Sequence, residues 1–186
     1  MIVIKDGSGK GYSLKINEEN RADVEAVTRP SDQHINQRYQ KVFSLPFDGI
    51  DPVGADDYFF YINNTGAKNL FITDIRVKST VAGTVEVHHV SGTPSYTAAA
   101  DVTPVNRTIG SAATITATIK TDTDTTGLTN EGVLFYLNCD TAEEMQHLRT
   151  SAKIIIPPGQ SMALLWDTST GVLSGIVSIY EDQGID

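Results

Sequence analysis

A chain of 186 residues, 40% apolar and 20% charged, can fill one sizeable core and is too short for two large domains. Its net charge of -9 argues against nucleic acid as a partner, because phosphate binding needs clustered Lys and Arg. Cys139 is alone, so no intrachain disulfide is expected, and no apolar window reaches the length of a membrane helix.

In chain order, Ile2-Val3-Ile4 suits one short strand and is too short for a secretory core, which predicts a protein made and matured in the cytoplasm. Lys5 to Gly11 is a turn-rich connector without the spacing of a phosphate loop. Tyr12, Leu14 and Ile16 then alternate with Ser13, Lys15 and Asn17, the chain turns at Glu18-Glu19-Asn20, and Val24 and Ala26 alternate with Asp23 and Glu25. This is a small hairpin, and an isolated hairpin is marginal in water, so it is expected to lean on another surface. Ser31 to Gln40 is polar apart from Ile35 and Tyr39, and residues 1–40 read as an extended N-terminal arm. They hold six basic and six acidic residues, so residues 41–186 carry the whole -9.

A strand is expected at Lys41 to Leu45, followed by a loop from Pro46 to Asp57. Tyr58 to Ile62 is a buried aromatic strand that ends at Asn63-Asn64-Thr65-Gly66. From Leu70 to Ser79, Phe71, Thr73, Ile75 and Val77 fall on one face while Asp74, Arg76 and Lys78 fall on the other. Val85, Val87 and His89 alternate in a third strand, and Ser91 to Ser111 is a long loop with Pro94 and Pro104. Further strands are expected around Ile115 to Ile119 and over Val133 to Asn138, the latter apolar on both faces and so covered on both, with Thr121 to Gly127 as a polar loop between them. Asp140 and Glu143 have the spacing of a capping box and predict a short helix over Thr141 to Leu148. Strands close the chain at Lys153 to Ile156, Ser161 to Trp166 and Leu173 to Tyr180. Eight to ten short strands separated by turns predict an all-β fold, an antiparallel β-sandwich of jelly-roll type carrying the arm.

No catalytic constellation stands out. His88 and His89 are neighbours in a strand and point to opposite faces, while His34 and His147 lie in unrelated segments, so no metal site is expected. Asp48, Asp51, Asp56 and Asp57 cluster, as do Asp122 and Asp124, but neither group has the spacing of a calcium loop. No nucleophile elbow is present, and no enzymatic activity, cofactor or small-molecule substrate is expected. Trp166 at a strand end is explained by core packing, which leaves Tyr96 in the long loop as the aromatic expected at the surface.

Several stretches together resemble tailed-phage virion proteins of the small β-sandwich kind, including head decoration or cement proteins. They are Lys5-Asp6-Gly7-Ser8-Gly9-Lys10-Gly11-Tyr12, Tyr61-Ile62-Asn63-Asn64-Thr65 leading to Leu70-Phe71-Ile72, Thr103-Pro104-Val105-Asn106-Arg107, and Ile156-Pro157-Pro158-Gly159-Gln160-Ser161. The resemblance implies a bacteriophage structural protein on the capsid surface, often a homotrimer, with the major capsid protein as partner and an arm that crosses capsomer boundaries. On that expectation Ile2, Ile4, Tyr12, Leu14 and Ile16 anchor the arm by adding a strand to the shell or to a neighbouring copy. The alternative is a tail-fibre or spike module that engages a receptor glycan through the loop around Tyr96.

Overall fold

The computed structural model describes residues 31–183. They run α1 (Ser31–Tyr39), β1 (Val42–Ile50), β2 (Asp57–Asn63), β3 (Leu70–Ser79), β4 (Gly83–Tyr96), β5 (Ala100–Asp101), β6 (Val105–Asn106), β7 (Thr118–Cys139), β8 (Gln146–Ile156), β9 (Ser161–Trp166) and β10 (Leu173–Glu181). The fold is an all-β sandwich of two antiparallel sheets, ordered β6-β1-β10-β3-β8 and β2-β9-β4-β7-β5. The core between them is built from inward residues of both, among them Phe43, Leu45, Ile72, Ile75 and Val177 from the first sheet and Phe60, Ile62, Val85, Val87 and Leu164 from the second.

β7 is 22 residues long and changes partner along its length. Its first part pairs with β2 (Asn63↔Thr118 to Tyr58↔Thr125) and touches β5, and its second part pairs with β4 (Tyr96↔Thr125 to Gly83↔Cys139). Since β9 joins β2 to β4, the second sheet curls back on itself. The curl closes a small second core of Tyr61, Val90 and Ala163, with Tyr58 and Leu128 packed against it, on the face turned away from the main core.

Several expected loops are strand. β1 continues through Pro46, Phe47 and Ile50, with Gly49 at a φ of 69° beside the register break. Pro46 pairs with Ile176 on one side, beyond the two residues of β1 that pair with β6, so its missing N–H costs no ladder bond. β4 extends to Tyr96, and the polar stretch Thr121 to Gly127 is continuous strand within β7. The expected strand at Ile115 begins instead at Thr118.

The face assignment in β3 is corrected at its start. Leu70, Ile72, Ile75 and Val77 are buried, whereas Phe71 turns outward and stacks on Tyr180 with ring centroids 4.8 Å apart. Register breaks between Ile72 and Asp74, and between Ser178 and Ile179 opposite, insert an extra residue and reverse the alternation at Thr73. Period-two reading cannot carry its phase through a bulge.

The helix expected at Thr141 to Leu148 is not formed. The chain turns there, with Glu143 at a φ of 64° and its N–H donated to Ser79 O, and Gln146 onward is β8. Within the turn Thr141 Oγ1 donates to Glu144 Oε2 at 2.6 Å, a different pair from the expected Asp140 and Glu143. The helix lies instead at α1, in residues read as part of the extended arm. Ile35 is buried against Val42 and Tyr180, with Tyr39 and Phe71 beside it, so α1 packs on the outer face of the first sheet. Gln40, at a φ of 55°, ends the helix and donates its N–H to Asn36 O. The hairpin at residues 12–26 and the anchoring residues Ile2, Ile4, Tyr12, Leu14 and Ile16 lie outside the described residues.

Two asparagines within the resembling stretches act as turn knots. Buried Asn64 donates to Lys68 O and Ile156 O and accepts from Gly66 N–H, tying the β2–β3 turn to the end of β8. Asn106 donates to Gln40 O and Ala113 O and accepts from Thr108 N–H, tying β6 to the end of α1.

Candidate functional site

Two strands lie side by side at one lateral edge of the sandwich. Among the described residues β8 pairs only with β3, and the part of β7 beyond Leu128 pairs only with β4. Between these edges opens an apolar groove of about 650 Å³, lined by Leu134, Phe135, Ile154, Ile155, Pro157 and Met162, with His89 and Gln160 at its polar end. His89 Nε2 and Gln160 Oε1 lie 3.2 Å apart. Leu134 is 42% exposed and Ile155 50% exposed, and along the same β7 edge Tyr136 is 62% exposed.

This departs from the expectation for Val133 to Asn138. The strand is apolar on both faces as read, but only Leu137 is buried, and Val133, Leu134 and Tyr136 remain open. A row of unpaired N–H and C=O groups beside open apolar side chains is a template for another strand. That signal was present in the sequence as a two-faced apolar strand, but its exposure was not.

A second constellation lies on the outward face of the curled sheet. Tyr58 Oη and His88 Nδ1 are 2.9 Å apart, and His88 Nε2 lies 2.7 Å from Glu86 Oε2. The neutral tautomer with its proton on Nε2 satisfies both contacts, donating to Glu86 and accepting from Tyr58. Burial, and then the charge of Glu86, raise the Tyr58 pKa, which keeps the phenol protonated as the donor. His88 is 2% exposed and both ring nitrogens are engaged, so the chain of three locks β2 to β4 and leaves no nitrogen to meet a solute. Glu86 and His88 stand two apart and thus on one face, a signal legible in the sequence; Tyr58 becomes their neighbour only through the sheet order.

The two acidic loops do meet. Val53 N–H donates to Thr123 O, bringing the loop before β2 against β7, and Asp57 accepts from Gly54 N–H at 2.5 Å. Burial, then the charges of Asp57 and Asp122, raise the pKa of Asp124. Among the described residues no three His, Cys, Asp or Glu side chains converge on a common point that could hold a metal ion. The raised value means that the folded state holds the Asp124 proton more tightly than the unfolded chain does. That contribution is complete below the ordinary value of 3.8 and is lost as pH rises through the folded pKa. Asp124→Asn removes the loss. The variant is expected to be slightly more stable than the parent at pH 7, with the gap closing as pH falls toward the ordinary value of 3.8. Urea midpoints measured at both pH values check this.

Tyr96 is placed at the end of β4, half-buried, with Lys120 Nζ 6.0 Å from its ring centroid. Trp166 is fully buried and donates its indole N–H to Thr170 O. Burial pushes the Cys139 thiol up to about 11, with Asp140 adding to the effect, so it stays a thiol inside the core. Comparison with protein-family models, with curated proteins and with solved structures found no match to this chain.

Proposed function

We propose that this chain is a virion structural protein of a tailed phage, a decoration or cement protein that coats the outside of the head and binds the major capsid protein through its N-terminal arm. The observation that carries the reading is the apolar groove between two strand edges that have no partner among the described residues, a surface shaped for assembly by strand addition. The strand order supports it. Leaving out the two-residue strands β5 and β6, the sheets read β1-β10-β3-β8 and β2-β9-β4-β7, the interleaving expected of a jelly roll, a fold common in viral shells. Repetition on a symmetric shell multiplies weak single contacts into firm attachment.

The test is co-sedimentation with assembled heads that lack their decoration protein. Since α1 packs on the sandwich through Ile35, the truncation to compare with the full chain begins at Ser31 and leaves that contact intact. Saturable binding by the full chain, lost in a truncation that still shows a cooperative melt, is the expected result. If neither form binds heads, the assignment fails. A receptor-glycan role has less support from the surface around Tyr96, whose ring is half-buried and faces Lys120.

A further inference from the structure

We infer that Asp48-Gly49 is a modification site: the Gly49 nitrogen closes on the Asp48 carboxyl group to form a succinimide, which water opens to isoaspartate, with Ser174 carrying the proton. The inference concerns the chain's own backbone and stands apart from whether the chain coats a head.

The bulge in β1 sets up the reaction. Phe47 pairs with Gly175 and Ile50 with Leu173, so Asp48 and Gly49 together face Ser174, and neither has a partner in the β1–β10 register. In a regular ladder the attacking nitrogen would be held by an inter-strand hydrogen bond. Gly49 stands at a φ of 69°, and a Cβ there would meet no atom within 4 Å, so nothing crowds the approach to its nitrogen. Both residues are exposed, and water reaches the product.

Ser174 touches both reacting groups. Gly49 N–H donates to Ser174 Oγ at 3.3 Å, and the Ser174 hydroxyl donates to Asp48 Oδ1 at 2.5 Å. A hydroxyl accepts and donates at once. The proton that Gly49 must lose and the proton that the departing carboxyl oxygen must gain are therefore already joined through one side chain.

As the bond forms between Gly49 N and Asp48 Cγ, the amide proton passes to Ser174 Oγ and the hydroxyl proton passes to Oδ1. The Cγ–Oδ1 bond then breaks, and the hydroxide that leaves takes a proton from solvent to become water. Water next adds to the ring. Addition at Cγ restores aspartate. Addition at the main-chain carbonyl carbon of Asp48 breaks its bond to Gly49 N, which takes up a proton, and the chain now runs through Cβ and Cγ with a free carboxyl group on Cα. No oxidant or reductant takes part, and the net change is an isomerisation. The added methylene group falls where β1 already carries an extra residue, so the ladder on either side is kept.

The test incubates the folded full chain at neutral pH and follows isoaspartate by labelling with a protein isoaspartate methyltransferase. Electron-transfer fragmentation of the proteolytic peptides separates position 48 from Asp6-Gly7, the chain's other such pair. Isoaspartate is expected at position 48 at least as fast in the folded chain as in the chain unfolded in urea, where the proton path through Ser174 is lost. Ser174→Ala is expected to slow the folded chain by about tenfold, a modest share of what positioned proton transfer supplies, and to leave the rate in urea unchanged. Ser174→Thr keeps the hydroxyl and is expected to restore the rate. Absence of isoaspartate at position 48 in the folded chain overturns the inference. So does a cooperatively melting Ser174→Ala variant that reacts as fast as the parent, which would make Ser174 a clamp on the bulge and not a proton carrier. Should Ser174→Ala fail to fold, the parent decides alone: slower formation in the folded chain than in urea overturns the inference.

Discussion

Replacing Trp166 with alanine is expected to lower the unfolding free energy by about 4 kcal/mol. The indole is among the largest fully buried side chains, and the backbone around it is fitted to its shape. A Cβ on Gly83 would lie 2.5 Å from the indole Cη2, so the start of β4 passes directly over the ring. Gly171, at a φ of 109°, brings the turn before β10 against the same ring. Alanine would leave a cavity that these two backbone segments cannot collapse to fill, and would also remove the donor to Thr170 O. Trp166→Phe keeps most of the ring and loses only the hydrogen bond and some volume, so about half that cost is expected. Guanidinium denaturation followed by circular dichroism checks both variants. Fluorescence cannot, because this is the one tryptophan in the chain.

Asp122→Ala is expected to cost about 3 kcal/mol, chiefly by taking from four donors, the buried Thr125 hydroxyl among them, the charged acceptor they share. The Asp122 carboxylate is 2% exposed and accepts from the N–H groups of Thr97, Ala98 and Thr123 and from Thr125 Oγ1. The first two of these lie just beyond β4, where the chain leaves the sheet. Without the carboxylate they lose the group that holds the crossing toward β5 against β7. Hydrogen exchange at Thr97 and Ala98 should therefore accelerate more than exchange in the remote β1–β10 ladder. Equal acceleration everywhere would mean that the carboxylate contributes only to global stability. Asp122→Asn keeps one acceptor but turns an amide donor toward backbone donors, so only partial rescue is expected.

These two residues also mark what the sequence makes legible. Trp166 ends a strand, Ser161–Trp166, that apolar content alone delimits correctly, and Leu70–Ser79 is likewise bounded as expected. Asp122 lies in a stretch read as a polar loop because Thr and Asp crowd it. Thr121, Asp122 and Thr125 are nevertheless buried within β7, where internal hydrogen bonds replace apolar packing. A pattern of hydrophobicity cannot see a strand whose buried face is satisfied by hydroxyls and a carboxylate. The same limit hides α1: a helix that buries chiefly Ile35 has almost no amphipathic signature, yet Val42 and Tyr180 supply the apolar surface that holds it. At the candidate site, the apolar strand Val133 to Asn138 was visible. Its exposure depends on which strand lies at the sheet edge, and that is a property of the sheet order.

The central place of β10 governs when the fold can appear during synthesis. β10 is the strand nearest the C-terminal end of the described residues, yet it lies between β1 and β3, with Val42 opposite Tyr180 and Leu70 opposite Glu181. While a ribosome still holds residues 173–181, the first sheet is two separate fragments, and the inner faces of both β1 and β3 lack their central neighbour. The nascent chain must wait with those surfaces open, and closure then joins residues some 140 positions apart. Such distant pairing makes folding slow and late, so growing chains are most prone to misassembly until residues 173–181 have emerged.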